Sequence, residues 1–246
     1  MKDITYETQN EKKLICGIQT ATGALANGVI GMQTLTDIAL KLCPEVFPLT
    51  CKLYNIPTII SKDLIACDPN SSVKPYENSI SGSFTYPSSD KPCSILINKG
   101  KDIFSTACHA FLGKPESVLY RTKSGSFGLK RCLNTSDLPN RENIVWAIGG
   151  MGLCNYYNPT VEGFSGAYAD VLRTTNHTVL GVRNGACYLQ YYPNMSASQI
   201  NAYCQNKMKF DFAILLDGGH IAAINGSESF AEINMKQYQG YIVQGV

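Results

Sequence analysis

Only three histidines occur among the 246 residues, and each stands where a proton could be moved. His109 lies in Ala107-Cys108-His109-Ala110-Phe111, His177 closes Arg173-Thr174-Thr175-Asn176-His177, and His220 follows Asp217-Gly218-Gly219. Imidazole titrates near neutrality, so such a set suits general acid and base work about a phosphodiester, with Asp217 orienting one ring. A three-histidine zinc site would also leave a position open for water. No pair has short ligand spacing, however, so no cofactor is expected and a divalent metal is the weaker reading. Each histidine has a plain alternative as a hydrogen-bonded structural group. Cys108 could be a nucleophile, but neighbours on an extended strand face opposite sides, which argues against a Cys108–His109 pair. No G-x-S-x-G elbow, P-loop or G-x-G-x-x-G run is present.

The acid of interest follows an apolar run, Phe212-Ala213-Ile214-Leu215-Leu216, which reads as a buried strand. Asp217 then sits where that strand leaves the core. Gly218 and Gly219, and likewise Gly149 and Gly150, could turn backbone N–H groups toward phosphate oxygens. Asp-Gly is also a strong hairpin-turn signal, so a tight turn is the competing reading. Arg173, Arg121 and Lys114 are candidate phosphate-neutralising cations, and Glu116, Asn176 and Asn225 complete the expected ligand-binding set.

These groups need a frame, and the pattern supplies mostly strands. Val118–Arg121 and Phe127–Lys130 flank Thr122-Lys123-Ser124-Gly125, a hairpin signal. Asn143–Gly150 reads as a strand ending in paired glycines. Thr178–Val182 and Cys187–Tyr191 flank Asn184-Gly185, a stronger hairpin signal. Ser79–Tyr86 alternates as an antiparallel strand would. A helix capped by Ser196 or Ser198 shows its apolar face at Ile200, Tyr203, Cys204 and Met208. It runs into the Phe212 strand, which suggests a crossover. Near the N-terminus, helical spacing marks residues 12–22 and 31–42. The expected class is α+β: a mixed, mainly antiparallel sheet with few helices, preceded by a short N-terminal helical segment. The expected division is a helical segment over 1–44 and one larger domain over 45–246.

Composition bounds the partners. Hydrophobic residues make up 44% and charged residues 16%, enough for a real core. A net charge of +2 gives no footprint for a nucleic-acid duplex or an anionic membrane. No apolar run approaches membrane-spanning length. None of the ten cysteines forms C-x-x-C, and no secretory pattern opens the chain. Mostly reduced, buried thiols in a cytoplasmic setting are therefore expected.

Two resemblances add to this. Ile18-Gln19, Thr22-Gly23 and Asn27-Gly28-Val29-Ile30-Gly31-x-x-Thr34 resemble part of a peptidoglycan-binding domain, though the further helices of that family are not found. Residues 95–230 resemble the phosphodiester glycosidases, which release N-acetylglucosamine from a phosphodiester. The matching segments are Leu216-Asp217-Gly218-Gly219 with Asn225-Gly226, Ile148-Gly149-Gly150-Met151-Gly152-Leu153, Glu162-Gly163-Phe164 and His177-Thr178-Val179-Leu180-Gly181. Ala107–Phe111, followed by Gly113-Lys114-Pro115-Glu116, falls near an early Asn-Gly-x-Phe-Phe segment of that family. His177 stands where the family has Arg, His220 where it has Gly, and His109 near its Asn. The resemblance implies a hydrolase of a phosphodiester linked to a sugar or nucleoside, of a phage or Gram-positive type. Two alternatives are a phage anti-defence protein that sequesters or degrades a cyclic nucleotide signal, and a phosphodiesterase of wall glycan or teichoic acid. The implied partners are a small phosphodiester or nucleotide ligand, or a cell-wall glycan, with self-association left open.

Overall fold

The computed structural model describes residues 4–5, 16–21, 29–42, 47–67, 77–86, 91–226 and 242–246. Near the N-terminus are β1 (Ile4–Thr5), the helical residues 16–21 (α1), β2 (Val29–Ile30) and α2 (Met32–Leu42). Then come β3 (Leu49–Leu53), β4 (Ile56–Ser61), β5 (Leu64–Cys67), β6 (Ser79–Ser81), β7 (Leu96–Asn98) and β8 (Lys101–Phe104). Next are β9 (Glu116–Thr122), β10 (Phe127–Cys132), β11 (Ile144–Gly152), β12 (Thr175–Arg183) and β13 (Ala186–Met195). The chain closes with α3 (Ala197–Tyr203), β14 (Phe212–Gly218), β15 (Ile224–Asn225) and β16 (Ile242–Gly245).

Ten strands form one sheet, in the order β10-β9-β11-β14-β12-β13-β4-β3, with β7 and β8 joined through β11. A four-stranded sheet, β15-β6-β16-β5, packs beside it. Neighbouring strands in both sheets are antiparallel. Because β13 and β14 are each antiparallel to β12, they run parallel to one another, and the segment carrying α3 is the crossover between them.

Both faces of the large sheet are covered, which explains why β14 reads as an unbroken apolar run. Ile214 and Leu216 join Ile59, Leu180, Trp146, Ile80, Ile224 and Val243 in the core between the two sheets. Ala213 and Leu215 face the other way, packing with Val179, Tyr188, Ile200, Cys204 and Met208 under α3. Ser196 caps α3 through a reciprocal box with Gln199, and a π-turn over Cys204–Met208 ends at Lys209, whose φ is 52°.

The hairpins form where turn chemistry favours them. Asn184 and Gly185 hold φ values of 52° and 73° between β12 and β13, as a primed turn requires. The Asp-Gly hairpin does not form. Asp217 and Gly218 remain in β14, a short 3₁₀ turn over Gly219–Ile221 follows, and the chain re-enters order in the other sheet as β15. The alternation expected over Ser79–Tyr86 is also absent, because residues 79–84 are buried on every side.

Of the expected helix over 12–22, only residues 16–21 lie among the described residues. α2 is tied to the β12–β13 turn. Arg183 pairs with Asp37 at 2.9 Å, and Asn184 donates a further bond to Asp37 Oδ1. Asp37 is fully buried, so its charge is matched where water cannot reach it.

Candidate active site

Asp217 lies two residues beyond Leu215, which pairs with Met151 of β11. Its Oδ2 accepts bonds from the Thr85 N–H (3.2 Å) and hydroxyl (3.1 Å), and its Oδ1 from the Gly218 N–H (2.9 Å). Asp217 keeps part of its surface open, yet burial pushes its carboxyl up to about 7, against the pull of these three donors. A carboxyl poised there can give or take a proton at neutral pH.

Thr85 lies in a segment that folds back on itself: Thr85 bridges Pro92, and the Cys93 N–H donates to the Phe84 carbonyl at 2.8 Å. That return places Cys93 Sγ 3.6 Å from Cys108 Sγ. Cys108 and His109 occupy a turn before a 3₁₀ helix over Ala110–Leu112, and Cys108 Sγ lies 4.0 Å from His109 Nε2. The opposition of neighbouring side chains holds for a strand and not for a turn, so Cys108 and His109 do face one another. His109 Nδ1 lies 2.9 Å from the Glu162 carbonyl. A carbonyl only accepts, so Nδ1 carries the hydrogen, and Nε2 presents its lone pair to the Cys108 thiol. The Cys93 thiol, opposed by burial and helped by His109, draws the Cys108 thiol down to about 5. Cys108 in turn raises the proton affinity of His109.

Two buried acids support this turn. Glu116, at the start of β9, accepts from Ser94 Oγ (2.8 Å), the Ile95 N–H (2.5 Å) and the Cys108 N–H (3.2 Å). Its burial pushes it up to about 8. Glu162 accepts from Ser117 (2.7 Å), the Gly152 N–H (2.9 Å) and Arg131 (3.0 Å). Gly163, with φ at 85°, lies against the His109 ring, and Phe164 meets that ring edge-on at 4.8 Å. The Glu162-Gly163-Phe164 segment is thus the cradle of His109. The sequence singles out that segment without assigning Glu162 a part, and it leaves Cys93, Thr85 and Arg131 aside. Arg131 and Thr85 carry no local signal, because their partners, Glu162 and Asp217, lie far along the chain.

Several expected binding groups are differently employed. The Gly149 N–H is committed to the Ile95 carbonyl at 2.7 Å, and a side chain there would overlap Glu116 Oε1 and Ser94 Oγ. A side chain on Gly150 would overlap the Leu215 carbonyl. These glycines make room for neighbours in a sheet interior and do not form an anion cradle. The Gly218 N–H is held by its own Asp217, while Gly219 opens the 3₁₀ turn with φ at 71°. Glu116 is spent on three protein donors. Arg121 is paired with Asp63 at 3.0 Å, and Trp146 donates to the same carboxylate. Five residues along β9 from Glu116, Arg121 is about 17 Å from that end of the strand.

Arg173 is exposed, and its guanidinium lies 3.8 Å from where a Gly219 side chain would begin. His177 is fully buried. Its Nε2 donates to the Arg173 carbonyl at 3.2 Å, and its Nδ1 has no partner and abuts Gly218. Burial lowers its proton affinity, so it is a neutral ring backing the end of β14. His109 and His177 share no bond or ring contact. Of His220, only the backbone is described, within the 3₁₀ turn. Asn176 accepts from the Asn194 N–H, Asn225 pairs with Ser79, and Lys114 is exposed in the loop before β9. A surface depression of about 640 Å³ lies at the β9–β10 turn, between Tyr120, Lys123 and Asn140, and contains none of the candidate residues. Among the described residues no cluster of His, Cys, Asp and Glu suits a metal ion, and no helix is long and apolar enough to cross a membrane.

No family model and no curated protein matches the sequence. Solved structures do match. The catalytic domain of zebrafish N-acetylglucosamine-1-phosphodiester α-N-acetylglucosaminidase, auto-inhibited by its pro-peptide, aligns over 80% of each chain, with a TM-score of 0.56 and 13% identity. A hypothetical protein from Synechocystis aligns over 80% of this chain and 60% of its own, with a TM-score of 0.52 and 11% identity. The likeness is one of fold.

Proposed function

We propose that the protein hydrolyses a phosphodiester linked to a sugar or nucleoside, with Asp217 as its central acid. The observation that supports this reading most directly is the Asp217 carboxyl, set at the exit of β14 with its proton affinity raised to about 7. It belongs to a fold shared with a phosphodiester α-N-acetylglucosaminidase domain. In this reading protonated Asp217 gives its proton to the leaving oxygen while water supplies the hydroxyl to the other fragment. Arg173, beside Gly219, offers a bidentate donor to the phosphate. His109, its proton affinity raised by Cys108, is the third participant in the acid and base work of this reading. His177 positions the strand end by filling the space behind Gly218 and does not itself touch substrate.

The test is a panel of N-acetylglucosamine-1-phosphodiesters, teichoic-acid fragments and cyclic dinucleotides, incubated with wild type and with Asp217→Asn. Products formed by wild type and lost in the variant support hydrolysis. Intact ligand recovered only after the protein is denatured would replace hydrolysis with sequestration, the anti-defence alternative.

A further inference from the structure

The Cys93–Cys108 contact lies outside that mechanism and has its own chemistry. Both cysteines are free thiols, with sulfurs 3.6 Å apart. A disulfide needs them at about 2.05 Å, a closure of roughly 1.5 Å. The two thiols are not equivalent. Cys108 is partly exposed and faces the lone pair of His109 Nε2, whereas Cys93 is 6% exposed and anchored through its N–H to Phe84. We infer that Cys93 and Cys108 are a reversible dithiol–disulfide site, with Cys108 the attacking sulfur and Cys93 the resolving one. The co-substrate is a small disulfide such as oxidised glutathione.

Cys108 S–H passes its proton to His109 Nε2, and the thiolate attacks one sulfur of the small disulfide. A Cys108–S–S–R bond forms and R–S⁻ leaves, taking a proton from His109. Cys93 then attacks Cys108 Sγ and expels the second thiolate, which takes up the proton that Cys93 gives up. The protein loses two protons and two electrons, and one small disulfide becomes two small thiols. The lowered proton affinity of Cys108 supports its role as the attacking sulfur, since the thiolate is the nucleophile. Asp217, Glu116 and Asp170 also face this pair electrostatically and disfavour the thiolate, while His109 favours it.

The full chain, freshly reduced, is exposed to a glutathione redox series, quenched with an alkylating reagent and mapped by peptide mass. The expected result is one intramolecular link between the Cys93 and Cys108 peptides, forming at least about tenfold faster than any reaction of buried Cys51, Cys187 or Cys204. Cys93→Ser is expected to stop at a glutathione adduct on Cys108, and Cys108→Ser to form neither adduct nor link. His109→Asn slows the first step near neutral pH, and the loss narrows as pH is raised. Wild-type kinetics need no variant to fold, so the inference stays open to refutation. Linkage through other cysteines would overturn it, as would reaction of Cys93 and Cys108 no faster than the buried thiols, or a purified chain holding one zinc ion through both sulfurs. The readout is thiol chemistry and not turnover, so its failure is separate from failure of the hydrolase reading.

Discussion

At the residue scale, the acids of the site hold their protons more tightly folded than unfolded. Asp217 rises to about 7 and Glu116 to about 8, both through burial. A raised folded value means this contribution to stability is fully present below the unfolded carboxylate range and is lost as pH climbs through about 7 to 8. The unfolding free energy from denaturant titration is therefore expected to fall between about pH 4 and pH 8, by on the order of a few kcal/mol in total. Asp217→Asn is expected to flatten that slope, and a slope unchanged in the variant would refute the assignment. Under the proposed hydrolysis, turnover is expected to decline as pH rises through about 7, because there the acid form of Asp217 is the donor. Gly149→Ala tests the packing role given to that glycine. Its side chain would collide with Glu116 and Ser94, so a loss of roughly 1–3 kcal/mol is expected in chemical denaturation.

At the element scale, the strands were more legible than the site. The β12–β13 hairpin follows from Asn184-Gly185, β9–β10 from the turn closing at Gly125, and β14 from its apolar run. The Cys93–Cys108 contact was not legible. It depends on the pairing of Thr85 with Pro92, and no local period records such a pairing. The Cys108–His109 geometry is hidden for a related reason: a two-residue period describes a strand, and this segment turns. Glu162 escaped because a lone acid in a loop looks the same whether solvated or buried beneath Arg131. The N-terminal segment offers a test at this scale. Asp37→Ala leaves Arg183 without its buried partner and is expected to cost about 3 kcal/mol. Limited proteolysis should then cut near α2 well before the large sheet is digested; equal protection of variant and wild type would show that this ion pair does not hold the helix down.

At the scale of the whole molecule, the two sheets depend on one another. β16 lies between β5 and β6, and Val246 exchanges main-chain bonds with Asp63, beside β4 and β5. Deleting residues 242–246 would leave two strand edges bare and open the core shared by Ile80, Ile224 and Leu216. Loss of cooperative unfolding and strong dye binding by exposed apolar surface are the expected outcomes. A deletion variant that melts like wild type would show that the large sheet stands alone.

Asp217 belongs to the large sheet, yet Thr85, which grips its carboxylate, follows β6 of the small one. Its proton affinity is therefore a gauge of whether the two halves have docked. Where the two sheets are not packed together, the Thr85 donors and the burial that set this acid are both missing. A chain whose sheets have not docked carries an ordinary solvated carboxyl at Asp217 instead of a tuned one.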